Sequence, residues 1–371
     1  MNPSKEHTGP GVHTSWYEED QCVPATAPTH IVDLRSDTVT TPTPEMRRAM
    51  AEAEVGDDVF GEDPTVNRLE ALAAEHLGKE AGLFVMSGTM GNQVSIMAHT
   101  NRGEEVILDD QSHIFNYELA AMAVFSAVQP RTLKGNRGIL DPEAVRRAIR
   151  TPNITSPRTA LVTVESSHNF GGGTVYPLGT LREIRRIAAD SGVAVHLDGA
   201  RIFNASLATG TPVRELAAQA DSVMFCLSKG LGAPVGSMVA GTRTFIQRAR
   251  RARKMLGGGG RQVGILAAAG LVALERMVDR LREDHENARV LAEGLAALPG
   301  ITIDLNWVQT NIVIFHVQRK DLDAPALILK LAEQGIKAFS MSQDSIRMVT
   351  HKDVDRAGIL ATIEELRKIL A

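Results

Sequence analysis

The sequence predicts an α/β protein: a larger part built on a mostly parallel sheet, then a smaller C-terminal α/β part. Three observations predict it. First, short apolar and β-branched runs at 83–86, 106–108, 160–165, 193–198, 222–227 and 237–241 alternate with stretches of helical period, such as LREIRRIAAD at 181–190. Strands alternating with helices make βαβ units and a parallel sheet. Second, the polar clusters fall mainly at the C-terminal ends of these runs, where such sheets place ligands. They are Ser87-Gly88-Thr89, residues 109–113, His168-Asn169, Asp198 and Ser228-Lys229. Third, a long helical pattern runs from 264 to about 298 and stops at Pro299-Gly300. Strands at 301–305 and 311–317, a helix at 324–334, a strand at 345–349 and a helix at 355–370 are expected beyond it.

The expected organisation follows. Residues 1–30 are rich in Pro, Thr, Glu and His, lack sustained periodicity, and predict a disordered tail. Residues 31–280 form the large domain with an N-terminal arm, and 281–371 the small one, with the boundary inside the long helix. There is no internal repeat.

Composition narrows the class. The chain has 371 residues, 43% hydrophobic and 23% charged, which suits a globular protein of two domains. A net charge of −4 lacks the basic excess of nucleic-acid binders. Two cysteines, Cys22 and Cys226, make no disulfide framework, so a reducing compartment, the cytoplasm, is expected. The first ten residues have no apolar core for a signal peptide, and no run approaches the roughly 20 apolar residues of a membrane span.

Four elements carry the chemistry. In Cys226-Leu227-Ser228-Lys229-Gly230-Leu231-Gly232 a lysine follows an apolar strand and precedes glycines. Small neighbours let a cofactor approach a lysine that holds it as a Schiff base. A lysine in that place is commonly just a solvated cap. The second element is Val195-His196-Leu197-Asp198-Gly199-Ala200-Arg201, whose aspartate ends a strand 31 residues before Lys229. Pyridoxal phosphate (PLP) needs a carboxylate beside its pyridine nitrogen, so that the ring accepts electrons. An aspartate there is otherwise a helix N-cap. Together, the two strand ends point to PLP.

The third element, Ser87-Gly88-Thr89-Met90-Gly91-Asn92, follows a strand and opens a helix. Its free backbone N–H groups and the Thr89 hydroxyl suit a phosphate, although a plain Ser/Thr cap reads the same way. No dinucleotide fingerprint is present: Gly230-Leu231-Gly232-Ala233-Pro234-Val235 lacks the third glycine, which argues against a nicotinamide enzyme. The fourth element is His113, in Asp110-Gln111-Ser112-His113, placed to stack on the cofactor ring and to assist proton transfer. No metal ligand is expected.

From residue 31 onward the chain resembles the low-specificity L-threonine aldolases, in the β-eliminating-lyase group of PLP enzymes of fold type I, the aspartate-aminotransferase-like fold. The resemblance rests on Asp33-Leu34-Arg35-Ser36-Asp37-Thr38, Gly56-Asp57-Asp58-Val59, Asp63-Pro64-Thr65-Val66-Asn67, HLDGARIFNAS from His196, CLSKGLGAPVGS from Cys226, RKMLGGG from Arg253 and RMVTHKDV from Arg347. It implies that Lys229 is the Schiff-base lysine and that Asp198 holds the pyridine nitrogen. Arg201 would bond on the phenolic oxygen side and also lie toward the substrate. Gly88 and Thr89 would hold phosphate. His113 would stack on the ring and contact the substrate hydroxyl. Ser36 and Arg347 would bind the substrate carboxylate. Lys254 and Arg261 match positions that a neighbouring subunit donates, which implies a homo-oligomer, a dimer of dimers, with shared sites.

Two positions depart from the family pattern. Thr155, in Asn153-Ile154-Thr155-Ser156-Pro157, stands where relatives carry a histidine toward the substrate β-hydroxyl, and Gly260 replaces a methionine. The implied reaction is retro-aldol cleavage of β-hydroxy-α-amino acids to glycine and an aldehyde. The base that takes the hydroxyl proton is left open among His113, Glu118 and water. The alternatives are another β-eliminating PLP reaction, or a non-catalytic PLP-binding regulator, for which the 30-residue tail is too short to add a DNA-binding domain.

Overall fold

The apolar runs before residue 280 become strands of one sheet in the computed structural model, which describes residues 31–371. The expected tail lies outside the described residues. The strands are β1 (Ala81–Val85), β2 (Glu105–Asp109), β3 (Gln129–Leu133), β4 (Thr159–Glu165), β5 (Ala194–Asp198), β6 (Ser222–Cys226) and β7 (Ser237–Gly241). Their order across the sheet is β1-β7-β6-β5-β4-β2-β3. Only β7 runs against the others. Strands β2, β4, β6 and β7 are buried along their whole length, as expected for a sheet covered on both faces.

The sequence reading did not anticipate β3. Its sequence QPRTL has no apolar run and includes Pro130, and it is an edge strand, where a proline costs no ladder bond on the open side.

The helical pattern over 264–298 is two helices, Gly264–Arg276 and Leu281–Ala296, separated by a turn. The first is buried almost all round, with Ala267, Ala269, Leu271 and Ala273 in the core under the large sheet. The second is amphipathic and sends Ala288, Leu291, Ala292 and Leu295 into a separate cluster. The break carries the chain from one core to the other. Periodicity does not register it, because both halves keep a helical repeat.

That second cluster lies against an antiparallel sheet of β8 (Ile301–Thr302), β9 (Ile312–Val317), β10 (Phe339–Ser340) and β11 (Ser345–Val349), in the order β10-β11-β9-β8. Helices Ala324–Glu333 and Arg356–Leu370 complete it, each opened by an aspartate cap, Asp323 and Asp355. Val32 and Leu34 of the N-terminal arm also pack here, and Val32–Asp33 pairs in parallel with Ile336–Lys337. In the register of this sheet Arg347 lies between Ile314 and Phe339. The arm and β11 thereby bring Ser36 and Arg347 to the strand ends of the large sheet.

Candidate active site

Asp198 ends β5 and stands in register with Glu165, which ends β4. Lys229 follows β6 in a turn closed by the Gly232 N–H donating to the Lys229 carbonyl at 2.8 Å. Gly232 has φ +79°, a left-handed conformation that favours glycine, and a Cβ on Gly230 would lie 2.9 Å from Leu281 Cδ2. These glycines therefore serve the turn and its packing. At the end of β1, Ser87 caps the helix Gly88–His99, its Oγ accepting from the Met90 N–H at 3.1 Å. The first-turn N–H groups of Gly88 and Thr89 have no helical acceptor. A Cβ on Gly88 would come within 2.9 Å of Cys226 Sγ, so the helix start packs this closely on β6 only with glycine there.

These elements surround a cavity of about 310 Å³ lined by Ser36, Gly88, His113, Asp198, Arg201, Lys229 and Arg347. Seven of the expected residues, from six separate segments, thus meet at one place. Thr89 lies beside them at the helix start. Three others stay outside the cavity of their own chain. Lys254 is exposed at the end of the helix Arg243–Met255, and Arg261 pairs with Asp57 at 3.0 Å. Thr155 sits in an exposed turn, its N–H and hydroxyl both bonded to Asn153 Oδ1.

The charges are arranged around two arginines. Arg201 donates through Nε and Nη2 to the two oxygens of Asp37, both at 2.6 Å, and this pair is buried. Burial pushes the Asp37 carboxyl up, but Arg201 and the nearby Lys229 charge outweigh it and hold Asp37 below the usual carboxylate range. Arg347 differs: it bonds only the neutral Asn169 Oδ1 at 2.9 Å and the Arg35 carbonyl at 3.2 Å. Its Nε is buried with no hydrogen-bond partner, and the Phe339 ring lies 5.2 Å from its Cζ. Burial, with Arg201 nearby, pushes its guanidinium down to about 10. A buried guanidinium without a carboxylate awaits an anion.

His113 is held from two sides. Its backbone N–H donates to Glu165 Oε2 at 2.7 Å, and its Nδ1 meets Glu118 Oε1 at 2.9 Å. Burial lowers the imidazole pKa, but the Glu118 hydrogen bond and the Asp198 and Glu118 charges raise it above the ordinary value. Glu118 is itself buried, does not line the cavity, and accepts from Asn92 and Gln93 as well. It supports His113 instead of meeting a substrate. The Tyr117 ring lies 5.8 Å from the His113 ring and stacks on Phe170 at 4.7 Å.

The sequence reading assigned no role to Asp37, Asn92, Glu165 or Asn169. Asp37 and Asn92 stood inside quoted motifs, and Asn169 in a strand-end cluster, so placement was the available signal. Glu165 had none beyond ending a strand.

The residues present fit PLP. Gly88 lines the cavity at a helix start with free N–H groups, Asp198 offers a carboxylate, Lys229 an amine, and Arg347 an unpartnered buried N–H. Fold and site together define a PLP-dependent enzyme of fold type I. The model of the beta-eliminating lyase family matches residues 33–319. Low-specificity L-threonine aldolase 1 of Arabidopsis thaliana is 46% identical over 337 residues, covering 90% of this chain and 94% of that protein. The low specificity L-threonine aldolase of Escherichia coli K12 is 42% identical over 342 residues, 92% of this chain and 100% of that one. A Leishmania major threonine aldolase structure superposes with a TM-score of 0.78 at 19% identity, covering 92% of this chain and 100% of that one, which speaks for the fold alone. The chain belongs to the β-eliminating lyase family, within it to the low-specificity L-threonine aldolases.

Proposed function

We propose that this chain cleaves β-hydroxy-α-amino acids, L-threonine and L-allo-threonine among them, to glycine and an aldehyde. The observation that carries the reading is the buried, carboxylate-free guanidinium of Arg347 across one cavity from Lys229, Asp198 and His113.

Arg347 and Ser36 bind the substrate carboxylate, the guanidinium as a planar fork. Gly88 and Thr89 would hold the phosphate of PLP, Lys229 would carry it covalently, and Asp198 would keep a proton at the pyridine nitrogen. When bound, PLP supplies the sink for the electron pair of the breaking Cα–Cβ bond. His113 takes the β-hydroxyl proton at Nε2, the ring nitrogen that Glu118 leaves free, and Glu118 offsets the charge that forms. Arg201, fixed by Asp37, would bond on the cofactor's phenolic oxygen side.

Lys254, Arg261 and Thr155 act in a neighbouring protomer's site, so the active form is a homo-oligomer, a dimer of dimers. The exposure of Lys254 and Thr155 on segments outside their own cavity supports this. The large and small units divide near residue 280. No helix among the described residues is long and apolar enough to cross a membrane. Cys226 is buried and unpaired, in keeping with the cytoplasm.

The test is incubation of the purified protein with all four threonine stereoisomers, quantifying acetaldehyde and glycine. Both products from the L-isomers are expected. Pyruvate and ammonia in their place would make this another β-eliminating lyase. Sedimentation of a fully active monomer would remove the shared sites.

A further inference from the structure

A buried chain of hydrogen bonds leaves the active site along the helix Gly88–His99 and the strands it covers, and ends at their far end. Asn92, 1% exposed, stands at its head. Its Nδ2 donates to Asp198 Oδ2 and to Glu118 Oε1, both at 2.8 Å. Both amide hydrogens are thus spent on carboxylates, which leaves Oδ1 as acceptor. The atom facing Oδ1 is His196 Nε2, at 3.2 Å, so His196 carries its proton there. His196 Nδ1 then accepts from the Ser222 hydroxyl at 2.8 Å, and Ser222 Oγ accepts from His99 Nε2 at 2.8 Å. Every assignment follows from the one before it, and every donor points toward Asp198.

The environment keeps the chain neutral. His196 and Ser222 are wholly buried. Burial pushes His196 down to about 3 and His99 to about 4. His99 closes the helix Gly88–His99, stacks on Phe245 at 4.5 Å, and lines a second cavity of about 420 Å³ with Arg185, Asp221 and Arg248. Ser222 begins β6 and Asp198 ends β5, so the chain runs along these two neighbouring strands from the C-terminal end of β5 to the N-terminal end of β6.

We propose that Asn92, His196, Ser222 and His99 form a positioning relay that orients the Asp198 carboxylate toward the cofactor nitrogen and, through the same Asn92 amide, ties it to the Glu118–His113 pair. Aligned donors polarise one another, so an interruption far from Asp198 weakens the last bond as well. The sequence placed Asp198 and His113 at the cofactor as separate residues. The relay makes them one unit with an end in a different cavity. This rests on PLP occupying the first cavity, and not on which amino acid is cleaved there.

The test uses Ser222→Ala, His99→Leu and His99→Gln in the full chain. The first two interrupt the relay without touching any residue at the cofactor, while glutamine keeps an N–H donor. Three readouts apply: the PLP dissociation constant, the pH at which the bound cofactor's absorbance changes, and the nitrogen-bound proton of His196 by NMR in the cofactor-free protein. Ser222→Ala and His99→Leu are expected to weaken PLP binding several-fold, up to about tenfold for one lost hydrogen bond, and to move the absorbance titration. Ser222→Ala is also expected to leave the proton on His196 Nε2, where Asn92 Oδ1 holds it, but to shift its resonance, and His99→Gln to stay near wild type. Wild-type PLP affinity and titration in both interrupted variants would overturn the relay. So would a His99→Gln protein that matches His99→Leu, since packing alone would then account for His99. No readout uses substrate, so a missing aldolase activity would leave this result standing, and the reverse.

Discussion

Replacing Arg347 separates a residue that binds substrate from one that holds the fold. A guanidinium at about 10 instead of its ordinary 12.5 carries a penalty of roughly 3 kcal/mol in its charged form. At neutral pH the group is still charged, so the whole penalty is present. Against it stand two hydrogen bonds, to Asn169 Oδ1 and the Arg35 carbonyl, at about 1.5 kcal/mol each for a charged donor. The two contributions nearly cancel. Arg347→Met, which keeps the apolar stem beside Phe339, is therefore expected to change the unfolding free energy by no more than about 1 kcal/mol. The substrate carboxylate loses a charge-assisted partner worth about 1.5–3 kcal/mol, which raises KM roughly 10- to 150-fold. Arg347→Lys keeps the charge without the planar fork, and falls between. The assay pairs steady-state kinetics on L-threonine with denaturant unfolding of the cofactor-free protein. A stability loss of several kcal/mol with unchanged KM would make Arg347 a structural residue and refute the reasoning.

Three further outcomes are expected. Lys229→Ala loses both turnover and covalent cofactor attachment. Borohydride reduction and peptide mapping of the wild type should find the pyridoxyl group on Lys229, and its recovery on another lysine would displace the assignment. Glu118→Gln removes the hydrogen-bonded negative charge that raises His113, so the acidic limb of the kcat/KM profile should move to lower pH. An unmoved limb would mean that another group titrates. Asp284 tests stability against pH. Burial, opposed by Arg280, raises its carboxyl to about 6 from 3.8, and its Oδ2 has no hydrogen-bond partner. A raised carboxyl favours the folded state while protonated. Its contribution, up to about 3 kcal/mol, is complete below pH 3.8 and is lost as pH rises through about 6. Denaturant unfolding from pH 4 to 7 should show a decline in wild type that Asp284→Asn flattens, and parallel curves would contradict it.

What the sequence determined on its own is whatever neighbouring residues encode. Apolar runs against helical repeats placed the covered strands, because a strand buried on both faces reads as continuous hydrophobicity. Lys229 and Asp198 were legible because a parallel sheet offers its ligand sites at strand ends, and a strand end is visible in the chain. The edge strand Gln129–Leu133 was not, since an uncovered strand needs no apolar run, nor was the break between Arg276 and Leu281, where the helical repeat continues while the core it faces changes.

The tertiary structure alone decided the partners. Asn92 stood in a motif read for phosphate, yet its amide binds Asp198, Glu118 and His196, residues of two other segments. Arg201 was expected at the cofactor, and the fold shows both its Nε and Nη2 committed to Asp37, 164 residues away. Thr155, Lys254 and Arg261 sit outside the cavity of their own chain, which no spacing in the sequence reveals. Periodicity records whether a side chain is buried. Which donor meets which acceptor depends on register and on how the two sheets approach one another, and those are set by contacts far apart in the chain.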